Sequence, residues 1–451
     1  MSEGSGSFTV QDAPSLLHPS FDKEKLEAVV HDHDKPSDAN FVEPSNQGLA
    51  RMYDGGRRAW LTIFGAWMIQ FCTYGYVSAF GIYQDYYTRV FLSQETPSNI
   101  SWIGSFQLFM QYAPGFLIGR AFDAGYFHHM IALGTILQVF SMLMLSLARQ
   151  HHYYQVFLTQ ALGMGLGQSL LFLPSLTIIG HHFKRRRALA TGISVSGASV
   201  GGIVWPILLN QLSQRTSFAN AIRVTAALNG VMLLASNFLM KTSPTQQGLI
   251  SRNPDFRAIF TDSAYLVSIA SAFCINLGLF FPYFYLQLYA VDLGIDSTEA
   301  FYSIAIVNAG SVLGRLLPNF FADKIGPYNM LLPCLFISSA VAFAMFGVSN
   351  FTGVILFGLF YGFWSGSYVS LIPSLLAQLS THVGEQGTRM GIAFSIVGIS
   401  MLVGTPIEGG LLRNHDAQFS WSKSIIFCGY GTMWRSRDDY LALSIRLSGQ
   451  S

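Results

Sequence analysis

Two apolar stretches joined by four consecutive basic residues constrain this chain more than any other feature. From Leu162 to Pro206 the sequence reads LGMGLGQSLLFLPSLTIIGHHFKRRRALATGISVSGASVGGIVWP. Each arm reaches the roughly 20 residues that a helix needs to cross about 30 Å of hydrocarbon. Lys184, Arg185, Arg186 and Arg187 cannot lie in lipid, so the turn that carries them faces water. The bias of cationic loops toward the cytoplasm assigns that face. The pattern predicts a transmembrane helical hairpin.

Composition extends the argument to the whole chain. Of 451 residues 51% are hydrophobic and 11% charged, against roughly 25% charged in a soluble globular chain. The 37 Phe and 43 Gly suit helices that pack closely in lipid. A net charge of +2 gives no argument for a nucleic-acid partner. Cys72, Cys274, Cys334 and Cys428 all fall in apolar spans and form no CxxC pair, which points to buried thiols rather than a disulfide framework or a zinc site. The chain carries no Walker sequence, histidine box or nucleophile elbow, which argues against an ATP-driven pump or a membrane enzyme and calls for no cofactor.

Read in order, residues 1–58 form a polar tail too poor in apolar surface to fold, with His31 and His33 solvated among acids. It lacks the apolar core and cleavage site of a signal peptide. Residues 59–240 hold six apolar spans, residues 241–262 a polar linker with Arg252, Pro254 and Arg257, and residues 263–434 a second helix bundle. The expected fold is all-α and membrane-embedded, two six-helix bundles related as repeats. The segment Gly192 to Pro206 returns as Gly391 to Pro406, each opening on Gly-Ile after an arginine. The pattern at Gly119, Asp123 and Gly125 returns as Gly314, Arg315, Asp323 and Gly326. Lys184 to Arg187, Lys324 and Arg389 all lie on the side of the N-terminal tail, which gives a multi-pass cell-membrane protein with a cytoplasmic N-terminus. The twelfth span breaks the scheme. From Trp421 its apolar run meets Arg435, Arg437, Asp438 and Asp439 after about 14 residues, too few to cross. Residues 435–451 read as an atypical end.

The ordered series Gly163-Met-Gly-Leu-Gly167, Pro174 to Gly180, Phe183 to Gly192 and Gly197-Ala-Ser-Val-Gly201 resembles helices four and five of the monocarboxylate porter family of the major facilitator superfamily, in its fungal branch. Asp54, Gly55, Gly56 and Trp60 fit the family's opening of helix one, with Arg57 and Arg58 as departures. The resemblance implies a major facilitator fold and alternating-access transport of a small organic molecule, a monocarboxylate-like compound or a fungal secondary metabolite, by uptake or efflux. It also places a transport arginine at Arg315, two turns before Asp323. The family's acidic residue four positions earlier is here Ser311, and span one has no lysine, so the known proton-coupling pair does not carry over. Coupling to protons stays open, as does the alternative of a non-transporting membrane sensor or inactive variant.

An ion inside hydrocarbon is a functional candidate by default. Arg315 is therefore the leading substrate residue, able to grip a carboxylate through two N–H donors. Asn308, Asn276, Tyr283, Tyr74 and Gln111 are polar or aromatic candidates for the cavity wall, each weighed against a plain helix-to-helix hydrogen bond. Gly119, Asp123, Gly125, Asp323, Gly326 and Arg187 are candidates for the gate. The glycines of 163–167 lie inside an apolar span with no preceding strand, so they read as close helix packing rather than a dinucleotide loop. Partners are a small organic substrate, with or without protons, and the lipid bilayer.

Overall fold

The computed structural model describes residues 55–242, 256–380, 383–412 and 421–430. The sequence readings of Asp54, His31, His33, Arg252, Pro254 and residues 435–451 fall outside the described residues.

Large apolar side chains stand outside while several amides lie inside among an apolar core. Phe238 is 73% exposed, Leu117 and Val231 68%, whereas Gln70, Gln138, Gln168 and Asn229 are fully buried. Water would not tolerate that arrangement, but lipid does, because buried polar groups then find each other while apolar side chains face hydrocarbon. Gln138 Nε2 donates to Cys72 O at 2.8 Å and to Asn229 Oδ1 at 3.3 Å, tying three helices of the first half together. Nine helices among the described residues are long and apolar enough to cross a membrane.

The first half comprises α1 (Arg57–Cys72), α2 (Tyr74–Val77), α3 (Phe80–Tyr86), α4 (Pro97–Tyr112), α5 (Gly115–Asp123), α6 (Phe127–Leu145), α7 (Tyr153–Val156), α8 (Gly165–Thr177), α9 (Ile179–His182), α10 (Arg187–Arg215) and α11 (Phe218–Leu239). The second comprises α12 (Phe256–Thr261), α13 (Ser263–Asn276), α14 (Phe281–Asp292), α15 (Ser297–Phe301), α16 (Ser303–Ile325), α17 (Pro327–Ala344), α18 (Phe351–Leu379), α19 (Gln386–Leu412) and a helix α20 over residues 421–430. Within the first half α1 packs on α10 and α11, and α8 on α6 and α4; within the second α18 packs on α16 and α17, and α13 on α19. The halves meet through α10 against α16 and through α19 against α4 and α5.

Three spans that read as continuous by hydropathy are interrupted: span one, which ends near Gln84, span two, about Ile100 to Phe122, and span seven, about Ser263 to Tyr289. Span one breaks at Thr73, whose Oγ1 donates to Ile69 O at 2.7 Å, and again at Ser78, whose Oγ donates to Tyr74 O at 3.4 Å. Such hydroxyls compete with the backbone ladder and loosen it. Span two breaks at Ala113-Pro114, because proline donates no N–H to the preceding turn. Span seven breaks between Asn276 and Phe281, around Gly278 and just before Pro282. All three breaks border the space between the halves, since Tyr74, Phe280 and Tyr112 line it. Elsewhere Thr96, Ser217, Asp262 and Asn350 accept from backbone N–H groups at the starts of their helices, which sets those ends. No two of the four cysteines are joined by a disulfide. The twelfth segment is helical over residues 421–430.

Candidate functional site

One end of the molecule is shut by two carboxylates that cap helices of the opposite half. Asp123, the last residue of α5, accepts from Gly387 N at 2.9 Å through Oδ1, and from Thr388 N and Thr388 Oγ1, both at 2.7 Å, through Oδ2. Asp323, near the end of α16, accepts from Ala188 N at 2.8 Å and Leu189 N at 3.0 Å. The first turn of a helix leaves N–H groups without intrahelical partners and carries partial positive charge. No side-chain cap comes from Arg186, the residue that precedes α10, so the other half supplies one. The two locks are copies of each other: the acid after the second span seals α19, and the acid in the corresponding place of the second half seals α10.

The sequence candidates for the gate fall at this end. Arg187 Nη2 donates to Gln386 Oε1 at 2.7 Å, adding a third bridge between halves. Gly119 has no room for a side chain, since a Cβ there would run into the carbonyl oxygen of Gly387. Gly125 (φ 90°) and Gly326 (φ 94°) end their turns in the left-handed region, which favours glycine. Burial raises the Asp123 carboxyl, while its three hydrogen bonds pull it back, leaving it at about 7. Behind the locks, Arg389 Nη1 donates to Asp262 Oδ2 at 2.8 Å and Nε lies 3.8 Å from Glu385 Oε2, bracing the start of α19 within its own half.

Above the locks lies an aromatic layer drawn from both halves. Tyr112 and Phe172 of the first half stand 5.5 and 5.7 Å from Phe394 of the second, measured between ring centroids. Arg315 lines the same small space as these rings. It is 2% exposed, at the middle of α16, and borders both a small space facing Phe394 and a cavity of about 190 Å³. That volume holds far more than a single water, which needs only about 10–15 Å³. The cavity extends away from the locks to half-buried Gln84, Ser101 and Gln287 and exposed Gly81, so it reaches the surface toward the opposite end.

Arg315 Nη1 donates to Val195 O at 2.6 Å, across the interface to α10, and its Nε has no hydrogen-bond partner among the described residues. No carboxylate pairs with it there. Tyr74, Tyr112 and Tyr283 surround it closely enough to interact with its charge. A guanidinium so placed has N–H donors that an anion could accept from.

Of the other substrate candidates, Tyr74, Tyr283 and Asn308 line the large cavity, and Asn276 lines the smaller one. Part of their polarity is spent locally. Asn308 Nδ2 donates to Ile304 O at 2.9 Å, Asn276 Nδ2 to Ala272 O at 2.7 Å, and the Tyr283 hydroxyl meets Ser365 Oγ at 3.2 Å. Gln111 stands apart: it is 1% exposed and borders neither cavity, with neither amide atom bonded among the described residues. Ser311 accepts from Ser199 Oγ across the interface at 3.0 Å, which ties α16 to α10.

Sequence reasoning passed over Glu408. It is the only charged residue between Met390 and Leu412, and it is 1% exposed. A lone acid in an apolar span was the signal that could have found it.

Two helical halves around a central cavity, locked at one end and open at the other, define an alternating-access transporter. The chain belongs to the Major Facilitator Superfamily, which residues 59–405 match. It is 36% identical over 394 residues to the aspyridones efflux protein apdF of Emericella nidulans, covering 87% of this chain and 77% of that protein. It is 38% identical over 356 residues to the agnestins efflux protein AgnL12 of Paecilomyces divaricatus, covering 79% and 81%. In fold it is similar to FucP, a superfamily transporter captured in the outward conformation, with a TM-score of 0.67 at 15% identity over 86% of this chain and 99% of that one. The protein is a multi-pass membrane transporter of a small molecule, and its family and fold are those of transporters rather than enzymes.

Proposed function

We propose that the protein exports an anionic fungal secondary metabolite, carried past Arg315 between the two halves. The observation that carries this reading is Arg315 itself, a buried cation facing the cavity with no carboxylate beside it among the described residues. A charge so placed is costly unless a partner arrives, and an organic acid is a partner of matching geometry. Aromatic walls at Tyr74, Phe280 and Tyr283 favour an amphipathic ligand over a sugar. Two relatives are named as efflux proteins, for aspyridones and agnestins, which supports the outward direction. Within the superfamily, the motifs of residues 162–206 support membership of the monocarboxylate porter family.

In this reading the locked end is cytoplasmic, because it carries Lys184 to Arg187 and Lys324, and the cavity faces outside across the cell membrane. The N-terminus is then cytoplasmic. Residues 59–240 and 263–434 act as the two rocking bodies, joined by the linker 241–262. Asp123, Asp323, Arg187, Gly119, Gly125 and Gly326 make up the cytoplasmic gate. Tyr74, Tyr283, Asn276 and Asn308 contact substrate; Gln111, away from both cavities, acts through packing.

The test is metabolite profiling inside and outside cells with and without this gene, followed by proteoliposome flux of the compound that moves. The expected result is an organic acid depleted from the medium in the gene's absence, with its flux abolished by Arg315→Ala. Unchanged flux in Arg315→Ala removes the arginine from the site, and ligand binding without movement of label makes the protein a sensor instead.

A further inference from the structure

We propose that Glu408 is a membrane-embedded proton-binding site, which takes a proton from the open cavity and ties its release to the change of state. The proposal rests on the transport reading above and names the coupling ion's site within it.

Glu408 lies in the last part of α19, a helix that belongs to the gate at its other end. It lines a side pocket of about 10 Å³, roughly the room one water needs. Tyr74 and Phe280 line both this pocket and the large cavity, so protons have a short way in. The Oε1 atom is buried and has no hydrogen-bond partner among the described residues. The groups that face the carboxyl are the hydroxyls of Tyr285 on α14 and Tyr361 on α18 and the thiol of Cys428 on α20. Asn276 of α13 and Tyr74 of α2 share the pocket, and Ser424 Oγ donates to the Glu408 carbonyl at 3.1 Å.

None of these neighbours is a cation, and no salt bridge reaches Glu408 among the described residues. A carboxylate there loses its hydration with nothing to offset the loss, whereas the protonated acid gives up far less. A structural acid would be expected to have its oxygens satisfied. The unmet oxygen, the adjoining pocket and the position on a gate helix together point to a carboxyl that exchanges a proton. The chemistry is balanced by water alone: the carboxylate takes H⁺ from hydronium in the cavity and returns it to water when the cavity faces the other side. Charge at Glu408 then depends on which side is open, which is what coupling to a proton gradient requires.

Dicyclohexylcarbodiimide tests this without knowledge of the substrate, since it adds to protonated carboxyls in apolar sites to leave an N-acylurea. The full chain in proteoliposomes is treated across a range of pH and digested, and the Glu408 peptide is read by mass spectrometry. The expected result is one adduct at Glu408 that fades as pH rises and is lost in Glu408→Gln. An absent adduct, or one that does not change with pH, overturns the proposal. Because the labelling is read in the unaltered chain, misfolding of the Gln variant cannot mask it. Coupling is then read with the metabolite identified by profiling. Glu408→Gln should lose accumulation driven by a pH gradient and keep exchange at equal pH, while Glu408→Asp should keep part of both. Gradient-driven accumulation that survives in Glu408→Gln overturns the coupling role; no flux in the unaltered protein instead sinks the transport reading and leaves the labelling result standing.

Discussion

Asp123 and Thr388, 265 residues apart, are joined twice: the Asp123 Oδ2 atom accepts from both the backbone N and the Oγ1 of Thr388 at 2.7 Å. This pair holds the two halves together at one end, and its mirror copy is Asp323 on Ala188 and Leu189.

Removing the Asp123 carboxylate should release that end. Three hydrogen bonds are lost, each worth about 0.5–1.5 kcal/mol, so Asp123→Ala should shift the equilibrium at least tenfold toward the state open at the locked end. Spin labels at Tyr126→Cys and Lys324→Cys, one on each half, report the separation. An unchanged distance distribution removes Asp123 from the gate.

Acidity should act on the same lock. The Asp123 carboxyl is raised from 3.8 to about 7 when buried between the halves, so the locked state binds the proton more tightly than a state that exposes it. Protonation therefore favours the locked state fully below about 3.8, and that contribution is lost as pH rises toward about 7. The labelled fraction in the locked state should fall over this window, and Asp123→Asn should flatten the dependence.

Gly119→Val should open the same end for a steric reason. Its side chain would meet the Gly387 carbonyl, backbone that cannot move aside as a side chain can. The spin-label distances should broaden toward the separated state with the carboxylates untouched.

Arg315→Lys should separate charge from shape. Lysine keeps the cation but not the planar fork, so one of two donor contacts to a carboxylate is lost, about 1.5 kcal/mol or roughly tenfold in apparent affinity for an organic acid. Transport assays at graded substrate concentration decide it; equal affinity would mean that only charge matters.

Arg389→Ala should lower stability rather than transport selectivity. The buried guanidinium pairs with Asp262 and approaches Glu385, and its loss leaves both carboxylates without this cation. Breaking a buried pair costs about 3–5 kcal/mol, which should appear as a lower Tm in detergent.

Most of the architecture was legible because hydrocarbon imposes a length and a polarity on each span. The apolar arms around Lys184 to Arg187, and the pattern at Gly119 to Gly125 with its counterpart at Gly314 to Gly326, were enough to foresee a two-part helical bundle and to single out Asp123 and Asp323 as candidates. The interruptions at Thr73, Pro114 and Gly278 were harder to see, since a local break in the backbone ladder barely alters the hydropathy of the span around it. Glu408 was passed over because one acid does not change the average of an apolar span.

By itself the sequence determined which segments lie in lipid and where their charged ends must emerge, because burial of an ion in hydrocarbon is costly wherever it happens. Tertiary structure alone decided that Asp123 seals α19 and Asp323 seals α10, that Arg315 faces a cavity with no carboxylate at hand, and that Gln111 does not. Those outcomes depend on how the helices are rotated and how closely the two halves approach, and spacing along one helix carries no record of the helix across from it.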